Sequence, residues 1–444
     1  MPQEENTLFY SNIQGFIFEK EEHHPLTNIS CYYYQSTVKR TEVVCPVCGS
    51  KVYVCDNHVT TLKDMPFEAG IGCQILLRHN RYICTECHIT FSNSIEKIRY
   101  PGTRITKRAA GWIKYLLSTG MSVSAIASVT RIHWDTIRKI HMDYMNSCLK
   151  ERKNEWKRTG YKPKYLAVDE FAIHKGHTYA TCVMDLETGE VIWAGKGRTI
   201  EDFRHFFEDM DKEFLSAVKA VAMDMNAAYN RLVTEYLPKA EIVYDRYHFQ
   251  ADFGKNVLGR VRLDEAREHK EKAKCLKDKL QGLKKHTERV ELKRQIREEQ
   301  SLGSAVKRAR WLILAGSDKL KSQGQITLQD ILDTHTDIAL CYAMKEELCR
   351  LFALTDRQEA EQGWKSWFEA GKASEVDHLN RFAKTKEIRL PGLIAHAEHP
   401  ISTGKLEGLN NKIKVAKRIA YGYRNDNYFF SLVRFISLPS HGKV

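Results

Sequence analysis

The pattern of apolar and polar positions between residues 160 and 245 predicts strands first, and then alternating helices and strands. Apolar runs bounded by turns predict a three-strand antiparallel meander, at residues 164–170, 178–185 and 191–194. The positions that follow predict helices at residues 200–214 and 226–236, and strands at residues 218–223 and 240–244. The predicted element order of this region is therefore βββαβαβ.

The part of the chain before this region combines short strands with helices. Apolar runs at residues 52–54 and 75–77 predict strands, and helical periodicity at residues 106–117 ends at Gly120. A second helix, a turn at residues 130–132 and a further helix follow. Four isoleucines have the spacing that a three-helix core needs: Ile126, Ile132, Ile137 and Ile140. This pattern predicts a helix-turn-helix.

The part after it, residues 253–389, is mostly helical by composition. Residues 260–300 are dense in Lys, Arg and Glu, with Leu or Val at helical intervals. Two interpretations stay open for this stretch. It forms a long hairpin or coiled coil that dimerises the protein, or it is a solvated helix pair packed on a core. Trp364 and Trp367 are expected in the core of this helical part.

These patterns predict a multidomain α+β protein whose core is interrupted by a helical insertion. The chain is predicted to begin with an N-terminal segment (residues 1–40), a zinc ribbon (41–100) and a helix-turn-helix domain (101–155). The rest is predicted to hold the first part of an α/β core (156–252), the insertion (253–389) and the second part of the core (390–444).

The net charge of the chain says more about its partners than its length does. The chain has 444 residues, 69 Lys and Arg against 56 Asp and Glu, a formal net charge of +13 and a pI near 9.0. This balance favours an anionic partner, either nucleic acid or a membrane surface. No apolar run is long enough to span a bilayer, and the first six residues lack the features of a secretory signal. We therefore expect a cytoplasmic, nucleoid-associated protein without a membrane segment.

The twelve cysteines indicate metal binding rather than disulfides in a chain that is not exported. Two CxxC pairs have the spacing of a closed, tetrahedral zinc site, formed by Cys45, Cys48, Cys84 and Cys87. Cys55, Cys73 and His58 lie near enough in sequence to be substitute ligands. The alternative is a group of buried cysteines without a metal. We expect one structural Zn²⁺, because four thiolates leave no open position for catalysis.

The predicted second helix of the helix-turn-helix exposes groups that bind bases or phosphates, namely His133, Thr136, Arg138 and Lys139. The alternative is a helical hairpin with a solvated basic face. Near the C-terminus, helical spacing brings Glu407 to one face with Asn411, Lys414 and Arg418. A carboxylate among phosphate-attracting groups indicates a metal held against a nucleic-acid backbone.

Two aspartates are the expected partners of Glu407. The order βββαβαβ is typical of the ribonuclease H-like fold, in which the first and fourth strands are neighbours, so that Asp169 and Asp224 would meet at their ends. Three clustered carboxylates repel each other unless cations bind. We expect two Mg²⁺ (or Mn²⁺) ions, which clamp an in-line phosphoryl transfer.

Any single aspartate at a strand end is more often a turn or cap residue. Glu170, Asp185 and Asp245 are the competing acids, and Asp245 is the most serious rival because it also ends a core strand. With Arg246 and His248, Asp245 is a candidate for orienting a metal ligand or contacting DNA.

The chain resembles the transposases of ISL3-type bacterial insertion sequences over nearly its whole length. The resemblance rests on the CxxC pairs, the helix-turn-helix, the acids and several short motifs, including residues 168–171, 175–179, 185–189, 245–248 and 407–414. Thr403 departs from the family pattern, which more often has Asn there. The resemblance implies a DDE triad of Asp169, Asp224 and Glu407, DNA cleavage with strand transfer, and recognition of terminal inverted repeats in double-stranded DNA.

Two other functions compete with this one. A silent or domesticated relative would act as a DNA-binding repressor, although the intact acids argue against it. A junction-resolving nuclease would not need the ribbon, the helix-turn-helix or the insertion. Because a transposase must bring two DNA ends together, a homodimer is the simplest expected assembly.

Overall fold

The computed structural model describes residues 13–66, 70–174, 178–316, 319–420 and 422–439. Lys175, Gly176 and His177, which belong to one of the family motifs, lie outside these ranges. The chain divides into two compact units. The first holds the chain up to Glu155 together with Val415–Phe435, and the second holds Trp156–Lys414 together with Ile436–Pro439.

A five-stranded sheet forms the β part of the first unit, with the order β1-β2-β4-β3 and with β5 paired to β4. The strands are β1 (Phe16–His24), β2 (Ile29–Ser36), β3 (Val52–Asp64), β4 (Gly72–Cys84) and β5 (Thr90–Ser92). Residues 16–36 therefore pair within the same sheet as the CxxC segments. The strands β3 and β4 are also much longer than the predicted ones. Polar residues of β3 such as Asp56 and Asn57 continue the pairing with β4, although this part of β3 is largely exposed and lacks the apolar pattern of a strand.

Three helices follow the sheet: α1 (Lys107–Ser118), α2 (Val123–Thr130) and α3 (Trp134–Thr159). Thr106 and Ser122 cap α1 and α2 by accepting hydrogen bonds from the N–H groups of Ala109 and Ala125. The four predicted core isoleucines are all at most 3% exposed, and they pack in one cluster with residues of α1. Helix α3 continues far beyond residue 141, since no glycine or proline interrupts it before Gly160.

A second five-stranded sheet, with the order β10-β9-β6-β7-β8, lies in the second unit. Its strands are β6 (Tyr165–His174), β7 (Thr178–Asp185), β8 (Val191–Lys196), β9 (Ala220–Met223) and β10 (Glu241–Tyr244). The meander β6-β7-β8 is antiparallel, whereas β9 is parallel to β6 and β10 is parallel to β9. The first and fourth strands of this region are therefore neighbours.

Helices α4 (Ile200–Asp209) and α5 (Ala227–Tyr236) alternate with these strands. Phe203, Phe206 and Tyr229 are almost fully buried in the cluster beside the sheet. Helix α4 ends five residues earlier than predicted. The carboxylate of Asp211 accepts a hydrogen bond from the Glu213 N–H at 2.9 Å, and such a local turn competes with the helix.

The described part of the chain between β10 and residue 398 is mostly helical. Its helices are α6 (Arg246–Phe253), α7 (Gly259–Gly282), α8 (His286–Arg308), α9 (Arg310–Leu314), α10 (Ser322–Thr334), α11 (Thr336–Leu351), α12 (Arg357–Ala373), α13 (Asp377–Lys386) and α14 (Leu390–Glu398), with a π-helical turn at Gly254–Leu258. Trp364 and Trp367 are at most 2% exposed in its core, as predicted.

Helices α7 and α8 pack along each other and are joined by residues 283–285, an arrangement that both interpretations of residues 260–300 share. Its role in dimerisation stays a prediction. Two last helices, α15 (Gly404–Ile419) and α16 (Asp426–Ser437), complete the chain. Among the described residues, none of the helices combines the length and apolar character that crossing a membrane requires.

Candidate active site

The strand register brings Asp169 and Asp224 level with each other. Ala167 of β6 pairs with Ala222 of β9, so the two aspartates follow two residues later on adjacent parallel strands. One carboxylate oxygen of Asp169 accepts the N–H of Glu170 at 2.8 Å, and the other accepts the side-chain amide of Asn410 at 3.1 Å. Asp224 accepts the N–H of Asn226 at 2.9 Å.

Burial disfavours the charged form of both aspartates. It raises the pKa of Asp169 to about 6, and the nearby Asp224 carboxylate adds to that rise. Burial likewise raises the pKa of Asp224, with a further contribution from Glu170. A positive charge on His248 lowers the pKa of both aspartates. This histidine, a candidate from the sequence, is therefore close enough to interact electrostatically with the pair. The pair is therefore a place where a bound cation would be favourable.

Helix α15 carries Glu407, but the described groups of three or more potential metal ligands with atoms within 4.8 Å of one another do not include Asp169, Asp224 and Glu407 together. Asn410 lies three residues after Glu407, hence on the same face of α15, and it donates the hydrogen bond to Asp169. The other side-chain atom of Asn410, Oδ1, is buried and has no hydrogen-bond partner. Glu407 itself is exposed, and within the described part of the chain its carboxylate has no hydrogen bond or ion pair. A free carboxylate and an unsatisfied oxygen thus accompany the aspartate pair.

Asp245 has a different environment from the other acids. It is 3% exposed and caps helix α6, where one carboxylate oxygen accepts the N–H groups of Tyr247 and His248. The other oxygen accepts both the N–H and the hydroxyl of Thr403 at 2.9 Å, directly before α15. Asp245 therefore links the beginning of α6 to the beginning of the helix that carries Glu407, and we name this pair of contacts the Asp245–Thr403 clamp. Arg246, the third candidate of that group, is exposed.

The two remaining competing acids are occupied by local contacts. Asp185 is fully buried, and its carboxylate accepts hydrogen bonds from Tyr161, Glu187 and Thr188. Glu170 accepts hydrogen bonds from Asn226 at 3.1 Å and from the hydroxyl of Tyr229 at 3.0 Å. Glu170 thereby connects β6 to the beginning of α5, just after Asp224.

Sequence reasoning did not single out Asn410 or Arg389 as site residues. Arg389 donates hydrogen bonds to the hydroxyl of Tyr244 at 3.1 Å and to the carbonyl of Met225 at 3.2 Å, and its charge lowers the pKa of Asp224. The spacing of Asn410 from Glu407 was a signal for Asn410. Arg389 is far from Asp224 in sequence, and no local pattern marks it.

The four predicted cysteines converge in the first unit. Three sulfur–sulfur distances are short: 3.5 Å for Cys45 to Cys87, 3.4 Å for Cys48 to Cys84 and 3.6 Å for Cys48 to Cys87. The N–H groups of Val47 and Glu86 point at Sγ of Cys45 and Cys84. This cluster has the composition and compactness of a possible Cys₄ metal site. Cys55, Cys73 and His58 are not members of it.

Neighbouring groups shift the pKa values of the thiols in this cluster. Hydrogen bonds to Ser50 lower the pKa of Cys48 to about 6. At Cys87 a hydrogen bond to the backbone of Ile89 lowers the pKa, but burial and the three neighbouring cysteines outweigh it and raise the pKa to about 12. Four thiolates cannot lie this close without a cation to neutralise them.

The predicted DNA-contacting residues are at the surface or close to it. His133 and Lys139 are exposed, and Thr136 and Arg138 are half-buried. Lys139 pairs with Asp143 at 2.7 Å, and Arg138 lies 3.6 Å from Asp135. In α15, Asn411, Lys414 and Arg418 are all exposed. The basic character of α3 is thus partly balanced by its own acids, whereas Lys414 has no ion pair with a described acid and donates a hydrogen bond to the side chain of Asn411 at 3.3 Å.

Comparisons with known proteins give one consistent result. The ISL3 family model, described as a transposase, matches residues 166–433. The chain is 33% identical over 406 residues to the transposase for insertion sequence element IS1001 of Bordetella parapertussis, covering 90% of each protein. It is also 22% identical over 329 residues to the transposase for insertion sequence element IS1557 of Mycobacterium tuberculosis, covering 73% of this chain and 70% of that protein.

Proposed function

Because the chain belongs to the ISL3 family of transposases, we propose that it cleaves DNA at the terminal inverted repeats of an insertion sequence and transfers the cut strands through a DDE triad of Asp169, Asp224 and Glu407. One observation carries the proposal. Asp169 lies within β6 and Asp224 directly follows β9, the parallel strand beside it, and Asn410, one turn from Glu407, donates a hydrogen bond to Asp169.

The sheet of the second unit supports a ribonuclease H-like core. Its order β10-β9-β6-β7-β8 combines an antiparallel meander with two parallel strands on the far side of β6, as the element order of that fold requires. The helices from α7 to α13 then form the insertion predicted at residues 253–389, between the second aspartate and the glutamate.

The donor set fits hard divalent cations. Asp169, Asp224 and Glu407 would hold Mg²⁺ or Mn²⁺, since these ions prefer carboxylate oxygen, and the buried Oδ1 of Asn410 lacks the partner that a buried acceptor needs. Two such ions, when bound, neutralise charge that develops on the attacking and leaving oxygens of a phosphoryl transfer. The raised pKa of both aspartates has the same origin, which is burial of negative charge without a counter-ion.

The protein's own groups prepare this site. Asn410 and the Glu170 N–H fix the two oxygens of Asp169, so the carboxylate cannot rotate freely. The Asp245–Thr403 clamp sets the beginning of α15 and thereby the position of Glu407. Asn411, Lys414 and Arg418 are exposed on α15 and would bind phosphates of the DNA being cut. Positioning of this kind contributes much of the rate in phosphoryl transfer.

The first unit would recognise the inverted repeats. We assign α2 and α3 the helix-turn-helix role, with His133, Thr136, Arg138 and Lys139 contacting double-stranded DNA. The Cys₄ cluster would bind one structural Zn²⁺ and stabilise the sheet that adjoins these helices. Synapsis of two DNA ends requires at least two copies of the chain, so a homodimer in the bacterial nucleoid is the simplest working form.

The test is cleavage of DNA that carries the inverted repeats flanking this gene, with purified protein and Mg²⁺. We expect the wild type to cut at the repeat ends, and Asp169→Asn, Asp224→Asn and Glu407→Gln each to abolish cutting while retaining end binding. The matched control is Glu369→Gln, a surface acid of α12 that pairs with Lys372 and should leave cleavage unchanged.

Cleavage retained by one of the three variants would remove that residue from the triad. Binding of the repeats without cutting by the wild type would favour a DNA-binding repressor instead. Preference for four-way junctions over repeat ends would favour a junction-resolving nuclease.

A further inference from the structure

A second group of metal-ligating side chains lies in the helical part of the second unit, away from the DDE acids in sequence. Glu265 and His269 are one turn apart on α7, and His335 lies between α10 and α11. One ligand atom from each of the three residues lies within 4.8 Å of the others. His269 and His335 are 8% and 4% exposed, respectively, so both histidines are buried.

Hydrogen bonds fix the orientation of both imidazole rings. Nδ1 of His269 lies 2.6 Å from a carboxylate oxygen of Glu299 on α8. Nδ1 of His335 lies 3.0 Å from the carbonyl oxygen of Ile331. A carboxylate and a carbonyl only accept hydrogen bonds, so each Nδ1 carries a proton. In neutral rings, both Nε2 atoms therefore present lone pairs.

These two lone pairs face each other, because the Nε2 atoms of His269 and His335 are 3.0 Å apart. Two acceptors at this separation repel unless something positive lies between them. A metal ion about 2.0–2.1 Å from each nitrogen in tetrahedral geometry separates them by about 3.3 Å. The partners of Nδ1 are also those that metal-bound histidines usually have, namely a carboxylate and a backbone carbonyl.

We propose that Glu265, His269 and His335 bind a divalent transition-metal ion, with Zn²⁺ the ion that two imidazoles and one carboxylate favour. This site is separate from the Cys₄ cluster and from the DDE acids. A water molecule would complete the coordination. The proposal does not depend on the proposed DNA chemistry.

The site would hold the base of the α7–α8 hairpin against the rest of the helical part. Through Glu299 it involves α8, and through His335 it involves the junction of α10 and α11. Gly303 of α8 allows this close approach, since a Cβ there would lie only 3.0 Å from Cβ of His269. A metal that joins residues so far apart in sequence stabilises the fold that brings them together.

Another cluster shows by contrast why this one needs a cation. Glu241, Glu398 and His399 also lie together, but Arg357 pairs with Glu241 at 2.7 Å and with Glu398 at 2.6 Å. Part of its negative charge is therefore already neutralised by Arg357. At His269 and His335, the competing possibility is a proton: a doubly protonated His269 would donate to both Glu299 and His335.

Zinc content of the full-length protein separates these possibilities. We expect about two equivalents of zinc per chain in the wild type, one from each site. Cys45→Ser and His335→Asn should each lower the content by about one equivalent, and the double variant should bind almost none. His286→Asn, an exposed histidine of α8, is the matched control and should keep both. Circular dichroism checks that each variant retains its helices.

Cobalt gives an independent readout that does not require the histidine variant to fold. Co²⁺ bound by thiolates has intense sulfur-to-metal charge-transfer absorption, whereas Co²⁺ bound by imidazole and carboxylate has only weak visible bands. Metal-free Cys45→Ser with His269 and His335 intact, kept in excess Mg²⁺ so that the DDE acids are occupied, should therefore bind about one Co²⁺ with weak bands alone. Absence of Co²⁺ binding by this variant, with about one zinc in the wild type, would overturn the proposal and assign the contact to a protonated His269.

Discussion

At the scale of single residues, the candidate active site concentrates groups whose individual environments are unfavourable. Asp169 and Asp224 are partly buried acids near each other on neighbouring strands, and burial is the main cause that raises the pKa of each. Oδ1 of Asn410 is a buried acceptor without a donor. Such features lower the stability of the metal-free protein, and they are the features that a bound cation would relieve.

A stability measurement follows from the raised pKa of Asp169. Its pKa in the folded protein, about 6, lies above the ordinary value of 3.8, so ionisation near neutral pH opposes folding. In EDTA at pH 7, Asp169→Asn should stabilise the protein by about 1–3 kcal/mol, seen as a higher melting temperature. The gain should shrink as pH falls through about 6 and vanish below about 4. An equal gain at pH 4 and pH 7 would contradict this origin.

That the strands of Asp169 and Asp224 are neighbours was predictable from sequence, whereas the partners of these acids were not. Both aspartates follow apolar runs and strand order brings them together, although β6 continues past Asp169 to His174. The contacts of Asn410 with Asp169, and of Tyr229 with Glu170, depend on the rotation of α15 and α5 about their axes. Sequence periodicity defines the face of a helix but not the atom that it contacts.

At the scale of elements, the Asp245–Thr403 clamp is the contact that connects two helix beginnings. Asp245 caps α6 with one oxygen and holds Thr403 with the other, so both oxygens of a buried carboxylate are satisfied. From the sequence, Asp245 is the strongest rival of the three triad acids. Its occupied oxygens favour the positioning role, and Thr403, where the family more often has Asn, contributes a side-chain donor as Asn also would.

Thr403→Val tests the clamp, because it keeps the shape of the side chain but removes the hydroxyl donor. We expect a loss of about 1–3 kcal/mol in stability from the partly unsatisfied carboxylate. Cleavage should fall about ten- to a hundredfold, since Glu407 is less well positioned, while end binding stays unchanged. Thr403→Ser and Thr403→Asn restore a donor and should recover most of the cleavage rate. Equal cleavage by Val and Ser variants would show that the hydroxyl has no positioning role.

Elements with regular apolar spacing were predictable, and those with mixed faces were less so. The isoleucine core of α1 to α3 and the meander β6-β7-β8 follow the sequence pattern. Strand β1 carries charged residues at an exposed surface, and β2 contains three consecutive tyrosines, so neither has the regular alternation that predicts a strand. The pairing of β2 with β4 is set by contacts distant in sequence.

At the scale of the whole molecule, the net charge of +13 matters more than any one lysine. Binding to the inverted repeats should weaken steeply with salt, since each phosphate contact releases counter-ions. Lys139→Gln should make the slope of log affinity against log salt shallower by about one. Lys365→Gln, whose lysine pairs with Glu361 on α12, should not change the slope. A flat salt profile for the wild type would contradict the basic-surface interpretation.

The Cys₄ cluster gives a second prediction at this scale. Cys87→Ser removes one of the four converging sulfurs and should reduce zinc content and weaken end binding, because the sheet of the first unit loses its metal. Cys55→Ser is the matched control: Cys55 is an exposed cysteine of β3 outside the cluster, and its loss should change neither. Full zinc content in Cys87→Ser would remove Cys87 from the ligand set.

The path of the chain has a consequence for how the protein is made. The first unit is completed by Val415–Phe435, where the hydroxyl of Tyr428 lies 2.5 Å from a ring nitrogen of His141. The second unit needs α15 for Glu407. During synthesis, therefore, neither unit can be completed until the ribosome has translated α15. A premature stop codon upstream of residue 404 would yield a chain with both units unfinished, rather than a free DNA-binding fragment that competes with the intact protein.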